Sequence, residues 1–275
     1  MNSRSGRASE IGGGGSAAGT VLAPEGAFNF RDIGGDRTGD GRQVRRGLIF
    51  RSGALDGLTG AGWAQLAALR VHTVVDLRAD DEARGGRAAV DGVTVVGVPM
   101  WEEGAAGTTL LDRVLLPVGA RPVQVVAAYT EAKVRSYVGM VTAHAGGFGA
   151  VVRVLAAVGT LPAVVHCAAG KDRTGLAMAL VLRAVGVPEE AVIADYARSR
   201  DGVSPTRLDR YQARLAALGV AVADFAPVYA AHPPALRAAL AAVDAGWGSV
   251  AGYLTGPGGV PPEAVAALRD RLLTP

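Results

Sequence analysis

Cysteine is almost missing from this chain: Cys167 is the only one in 275 residues. An internal disulfide is therefore excluded, which suits a reducing compartment without fixing location. Lysine is nearly as scarce, with Lys133 and Lys171 alone, so the net charge of +3 is carried by arginines scattered along the chain. With no block of like charge there is no electrostatic footprint for nucleic acid, and a nucleic-acid partner is not expected. No cluster of His, Cys and acidic residues has the spacing of metal ligands, so neither a metal nor another cofactor is expected. No segment reaches the roughly twenty apolar residues of a membrane span without Pro, Gly or charge, so stable membrane insertion is not expected. Residues 1–23 are rich in Gly, Ser and Ala, contain Gly12-Gly13-Gly14-Gly15, and lack the apolar stretch of a signal peptide. They read as a disordered tail. A cytoplasmic location is the expectation, with export lacking a signal left open. The chain is 49% hydrophobic, enough for residues 24–275 to bury one core and form a single catalytic domain. The oligomeric state is not legible in the pattern.

What the chain does contain is the run Val164-Val165-His166-Cys167-Ala168-Ala169-Gly170-Lys171-Asp172-Arg173-Thr174-Gly175. Residues 161–165 form a short valine-rich stretch that reads as a buried strand, and residues 174–185 repeat apolar side chains at helical spacing. Residues 167–173 therefore join a strand to a helix N-terminus. Backbone N–H groups and the positive end of a helix dipole converge at such a junction, which binds oxyanions without metal. Ala168, Ala169 and Gly170 are small enough for the backbone to curl closely around a phosphate. The same field favours the thiolate form of Cys167. Arg173 presents a planar fork for two phosphate oxygens, and the Thr174 hydroxyl is placed to donate to the sulfur. His166 orients the cysteine backbone. Gly170-Lys171 does not belong to a nucleotide-binding loop, because Val165 stands where that motif needs glycine and Asp172 where it needs Ser or Thr.

Around this loop, strand-like residues 48–51, 73–77, 93–98 and 163–166 alternate with helical patterns. A Thr-capped helix is expected over residues 59–69, and others over 206–218, 234–243 and 262–273. Alternation of this kind predicts an α/β fold, a central mainly parallel sheet flanked by helices. Active sites in such sheets lie at the carboxyl ends of the strands, where Cys167 falls. Glu189 and Glu190 follow Pro188 at the start of a further helix and read as dipole-stabilising surface residues, not as a catalytic pair.

The segment from His166 to Gly175 resembles the signature of cysteine-dependent protein tyrosine phosphatases, and its Lys171-Asp172 pair is similar to that of a bacterial tyrosine/serine phosphatase branch. Phe28-Asn29-Phe30-Arg31-Asp32-Ile33-Gly34-Gly35, Gly47-Leu48-Ile49-Phe50-Arg51-Ser52, Val75-Asp76-Leu77-Arg78, Ala194-Asp195-Tyr196-Ala197-Arg198-Ser199 and Gly252-Tyr253-Leu254 resemble that branch in the same order. The likeness runs over residues 28–273. It implies a metal-independent phosphatase acting through a cysteinyl-phosphate intermediate, with Cys167 as nucleophile and Arg173 holding the phosphoryl oxygens. His166, Ala168, Ala169, Gly170, Lys171, Thr174 and Gly175 complete the substrate-binding loop.

The resemblance also implies a helical lid inserted after the strand ending near Val98, over residues 101–147. In that stretch residues 105–122 look irregular and 123–144 helical. Two carboxyls compete as proton donor to the leaving group: Glu102, aligned with the branch's aspartate but one methylene longer, and Asp172 inside the loop. The implied substrates are phosphotyrosine, phosphoserine or phosphothreonine in proteins, and phosphoinositides, with Lys171 as a second cation beside Arg173. Trp101, Phe28 and Tyr129 are candidate cleft walls, or ordinary core aromatics. Two other classes stay open: a catalytically silent phosphate-binding module, and a rhodanese-like sulfurtransferase, whose shorter loop would not carry an arginine at this spacing.

Overall fold

A computed structural model describes residues 23–83, 92–100, 122–200, 212–213 and 215–275. Five strands form one sheet: β1 (Arg31–Asp32), β2 (Ile49–Ser52), β3 (Thr73–Asp76), β4 (Thr94–Gly97) and β5 (Ala163–His166). Their spatial order is β1-β2-β5-β3-β4. Only β1 runs antiparallel to its neighbour; the other pairings are parallel. β5 lies at the centre, with Val164 and Val165 fully buried. Its valine run is the composition that a parallel strand covered on both faces requires.

Successive side chains of a strand point to opposite faces, and the core divides accordingly. Ile49, Val75 and Val165 join the large core on one face, while Phe50, Val74 and Val164 join a smaller cluster on the other with Phe30, Leu55 and Leu66. The smaller face is covered by α1 (Gly60–Ala68), whose Thr59 cap accepts a hydrogen bond from the Gly62 N–H. Eight further helices follow among the described residues: α2 (Pro122–Ala143), α3 (Ala145–Ala156), α4 (Asp172–Ala184), α5 (Glu189–Ala197), α6 (Val222–Tyr229), α7 (Pro233–Trp247), α8 (Val250–Thr255) and α9 (Pro262–Leu272). No single helix among the described residues is long and apolar enough to cross a membrane.

The α/β class and the mainly parallel sheet are as the pattern predicts, and so are four of the five strands. β1 is too short for a period-two signal. α3 escapes the sequence because Gly146, Gly147 and Gly149 dilute its pattern. Gly149 is required there, since a Cβ would lie 1.9 Å from the Gly258 carbonyl oxygen. α6 and α8 are short and were not anticipated. Pro188 takes the N-cap position of α5 rather than a place in its first turn. Of the expected lid, residues 101–121 lie outside the described residues, whereas α2 forms as a helix. Of the helix expected over 206–218, residues 206–211 and 214 also lie outside, and 215–217 are helical.

Candidate active site

Register places the site before any side chain is considered. His166 ends β5 opposite Ser52 on β2 and Asp76 on β3, so the chain leaves the carboxyl edge of the sheet at its centre. Cys167 follows, buried at 2% exposure. Five residues later the chain enters α4, whose first turn directs its unpaired N–H groups back at the loop.

The orientation of the loop follows from where its carbonyls go. The His166 carbonyl accepts from the Leu77 N–H at 2.8 Å and the Ala168 carbonyl from the Ala54 N–H at 3.2 Å. The Cys167 carbonyl lies 3.3 Å from His166 Nδ1. Burial lowers the pKa of His166 despite the nearby Asp76 carboxylate, so the neutral ring donates that bond from Nδ1. The Ala169 and Gly170 carbonyls accept from Asn29 Nδ2 at 3.1 and 2.8 Å, and Gly170 also accepts from Arg51 Nη2 at 2.9 Å. In a trans peptide the N–H points opposite to the preceding C=O. Tying down the carbonyls of residues 167–170 therefore turns the N–H groups of residues 168–171 the other way. Among the described residues, the N–H groups of Ala169, Gly170 and Lys171 have no hydrogen-bond partner. Consecutive unpaired N–H groups beside a helix N-terminus are an arrangement that favours anions.

Gly170 is fixed by its geometry. Its φ is +66°, and a Cβ would meet the Ser52 carbonyl oxygen at 2.3 Å, an approach that only glycine tolerates. Gly175 has a packing reason instead, because a Cβ there would press on the Tyr196 ring at 2.8 Å. The Thr174 hydroxyl is buried with no hydrogen-bond partner among the described residues, so the bond to the Cys167 sulfur expected from the sequence is not formed in this structure.

Arg173 is held by a residue the sequence did not single out. Its Nη2 donates to Glu82 Oε1 at 2.7 Å, its Nη1 to Glu82 Oε2 and, at 3.0 Å, to the Met100 carbonyl. The bidentate pair sets the plane of the guanidinium. Burial raises the Glu82 carboxyl, but the bonds from Arg173 outweigh it and hold the group below the usual range.

Asp172 is enclosed by cations and a phenol. It accepts from the Tyr137 hydroxyl at 2.5 Å, with Lys171 Nζ at 3.5 Å and Lys133 Nζ at 3.9 Å. Burial alone would raise its pKa; Lys171, Lys133 and the Tyr137 bond together lower it. The Tyr137 proton goes to Asp172, so Tyr196 donates to the Tyr137 oxygen at 2.5 Å and itself accepts from the His232 N–H at 3.0 Å. Burial, and then the Asp172 charge, push the Tyr137 phenol well above its ordinary value, which keeps it a donor.

Lys171 is expected from the sequence beside Arg173, yet its ammonium points elsewhere. Nζ donates to the Tyr229 carbonyl and lies 4.3 Å from the centre of the Tyr229 ring. Lys133 donates to the Ala230 carbonyl and, at 3.3 Å, to that of Tyr229. Both lysines of the chain thus meet the carboxyl end of α6. Of the candidate walls, Tyr129 is a core residue stacked edge-on against Phe225. Phe28 is half-buried against Gly53, where its ring leaves no room for a Cβ. Trp101 and Glu102 lie outside the described residues. Glu189 and Glu190 pair with Arg237, the surface role expected of them. Among the described residues no group of His, Cys, Asp and Glu is arranged to hold a metal ion.

Four residues missed by the sequence reading support the loop. Asn29 and Arg51 take its carbonyls, and Arg51 Nη1 is held by Asp195 Oδ2 at 2.7 Å. Arg31 bonds Asn29 Oδ1 at 2.6 Å and Asp195 Oδ1 at 3.0 Å. All four lie within the segments that carry the resemblance. Glu82, 91 residues from Arg173, has no local signal at all.

The chain is similar to known proteins along most of its length. The tyrosine phosphatase family matches residues 22–274 of the chain. A Cupriavidus necator protein, provisionally named a tyrosine-protein phosphatase, is 34% identical over 234 residues, which cover 85% of this chain and 82% of its own. The triple specificity protein phosphatase PtpB of Mycobacterium tuberculosis is 33% identical over 275 residues, 90% of this chain and 97% of its own. A crystal structure of Pseudomonas aeruginosa TpbA aligns over 68% of this chain and 88% of its own at 21% identity and a TM-score of 0.30, a likeness too loose to argue from. With its loop of N–H groups around Cys167 and a match along nearly its whole described length, the chain belongs to the tyrosine phosphatase family and is a phosphatase of the protein-tyrosine-phosphatase type.

Proposed function

We propose that the chain hydrolyses phosphomonoesters in two steps through a cysteinyl-phosphate, without a metal. The observation that carries this reading is the set of N–H groups at Ala169, Gly170 and Lys171, unpartnered among the described residues, next to the thiol of Cys167. The Cys167 thiolate attacks phosphorus in line with the departing oxygen. The S–P bond forms as the P–O bond breaks, while the loop N–H groups and Arg173 carry the charge of the equatorial oxygens. In this reading the Thr174 hydroxyl, which is unpartnered among the described residues, donates to the sulfur as the P–S bond breaks and makes it a better leaving group. Water then attacks the cysteinyl-phosphate, releasing inorganic phosphate and the thiolate.

The leaving oxygen needs a proton. Asp172 is poorly suited to give it, since Lys171, Lys133 and Tyr137 hold its carboxyl below the usual range, and an acid that is already ionised has nothing to donate. Glu102 is the proton donor in our reading. The expected result is that Glu102→Gln flattens the basic limb of the pH–rate profile and loses least on substrates with good leaving groups, while Asp172→Asn keeps that limb. The reverse pattern would move the role to Asp172.

For substrates we propose phosphotyrosine together with phosphoserine, phosphothreonine and phosphoinositides; a breadth of this order is supported by the mycobacterial relative, which is named for triple specificity. Phosphate release from a phosphotyrosyl peptide and a monophosphorylated phosphoinositide is to be measured side by side, with a chelator present and Cys167→Ser as the blank. Comparable turnover of both supports this breadth. Turnover of the peptide alone makes the enzyme a narrower tyrosine phosphatase, and silence on both leaves a phosphate-binding module.

A further inference from the structure

We infer that Asn29 is a positioning residue of the phosphate site: its side-chain amide sets the direction of the loop's N–H groups and so the affinity for the phosphoryl oxyanion. The inference rests on the proposed role of the loop as an oxyanion cradle. Asn29 lies 140 residues before the carbonyl it holds and carries no charge, so nothing in its own chemistry marks it as part of a phosphate site.

Three features converge on it. The Nδ2 group donates to two consecutive loop carbonyls, Ala169 at 3.1 Å and Gly170 at 2.8 Å. Those two peptides contribute the N–H groups of Gly170 and Lys171, two of the three left without partners. The amide is itself fixed, because Oδ1 accepts from Arg31 Nη1 at 2.6 Å and Arg31 is anchored on Asp195. Only one orientation of the amide satisfies both ends, with the oxygen toward Arg31 and the nitrogen toward the loop. The backbone of Asn29 is also left-handed, with φ at +53°, a conformation that asparagine tolerates better than other residues with a Cβ. That turn lets a residue just ahead of β1 reach across to the far side of the loop.

Without the amide, the Ala169 carbonyl loses its side-chain partner and the Gly170 carbonyl keeps only Arg51. Each peptide is then free to rotate, and each rotation withdraws one N–H from the anion. Asn29→Gly isolates the effect, since glycine accepts the left-handed backbone without strain and removes only the amide. Asn29→Asp preserves the shape and the bond from Arg31 but sets an acceptor against two carbonyls.

The experiment is calorimetric binding of tungstate, an unreactive oxyanion, to the full-length wild type and both variants at a temperature where all are folded. Steady-state kinetics on para-nitrophenyl phosphate are run on the same samples. The expected result is a Kd for tungstate raised about tenfold or more in Asn29→Gly, as for the loss of about one charge-assisted bond, and raised further in Asn29→Asp. KM is expected to rise by more than kcat falls, because the N–H groups hold the equatorial oxygens in the ground state as well. A variant that merely unfolds in part would lose kcat and keep KM.

A lowered Tm with an unchanged Kd in either variant would make Asn29 a structural residue and overturn the inference alone. Weaker tungstate binding in the variants, combined with a wild type that turns nothing over, would support the inference and overturn the hydrolytic reading. Failure of the wild type itself to bind tungstate would overturn both.

Discussion

Arg173 illustrates how a side chain legible from spacing depends on partners that are not. Its distance from Cys167 in sequence marks it as the candidate oxyanion cation, but a flexible arginine is useful only when its plane is fixed. Glu82 supplies that constraint through two parallel bonds. Glu82→Gln keeps the volume, removes the charge and leaves one acceptor oxygen. The loss of a charge-assisted bond of about 1.5–3 kcal/mol is expected to lower kcat/KM roughly tenfold to hundredfold, with little change in Tm. Steady-state kinetics on a phosphotyrosyl peptide test this; an unchanged kcat/KM would mean that the Met100 carbonyl and the Leu77 carbonyl, which accept from Arg173 Nη1 at 3.0 and 3.4 Å, suffice to hold the guanidinium. Asp172 carries the opposite lesson. Its position in the loop makes it a candidate acid, and only the company of Lys171, Lys133 and Tyr137 holds its carboxyl below the usual range.

At the scale of elements, α6 and the amino-terminal half of α2 form a unit of their own. Val125 and Tyr129 from α2 pack with Leu215, Val220 and Phe225 in a small core separate from the main one. The carboxyl end of α6 exposes carbonyls that need donors, and Lys133 and Lys171 provide them. Positive charge is favourable there because the helix dipole is negative at that end. Lys171 belongs to the loop between β5 and α4, so that loop and this unit share a contact. We propose that the amino-terminal half of α2, the described part of the insertion expected over residues 101–147, moves with this unit as a lid over the site. Limited proteolysis within residues 101–144 is expected to be slower in the presence of tungstate than in its absence, and Lys133→Met is expected to speed it by freeing the end of α6. Equal rates with and without the anion would argue against a mobile lid.

For the whole molecule, buried ionisable groups tie stability to pH. The Asp195 carboxyl is buried, which would raise its pKa, but Arg51, Arg31 and Arg198 hold it well below the usual carboxylate range. Such a group contributes stability that is complete above its unfolded value of about 3.9 and is lost as pH falls below it. His166 and His232 are both held below the ordinary histidine value, chiefly by burial. Their contribution is complete above about 6.5 and is lost as pH falls from there toward their folded values. Tm measured by calorimetry is therefore expected to fall in two stages on acidification, a first decline beginning near pH 6.5 and a steeper one below about pH 4. A flat Tm between pH 7 and 5 would remove the histidines from this explanation.

The sequence by itself determined the parts of this protein whose physics is local. The valine runs of β3 and β5 announce buried parallel strands, Thr59 announces the start of α1, and the step from Val165 through Cys167 to Arg173 announces a strand-to-helix loop for phosphate. Each depends on neighbours a few residues apart, so spacing and side-chain type suffice. Asn29 and Arg51 on the loop carbonyls, Glu82 on Arg173, Tyr137 on Asp172 and Tyr229 under Lys171 were decided only by the tertiary structure. Those contacts join residues separated by 35 to 141 positions, and a polar side chain declares no partner until the chain has brought one within about 3 Å. Local order placed Cys167, and long-range packing aimed the groups around it.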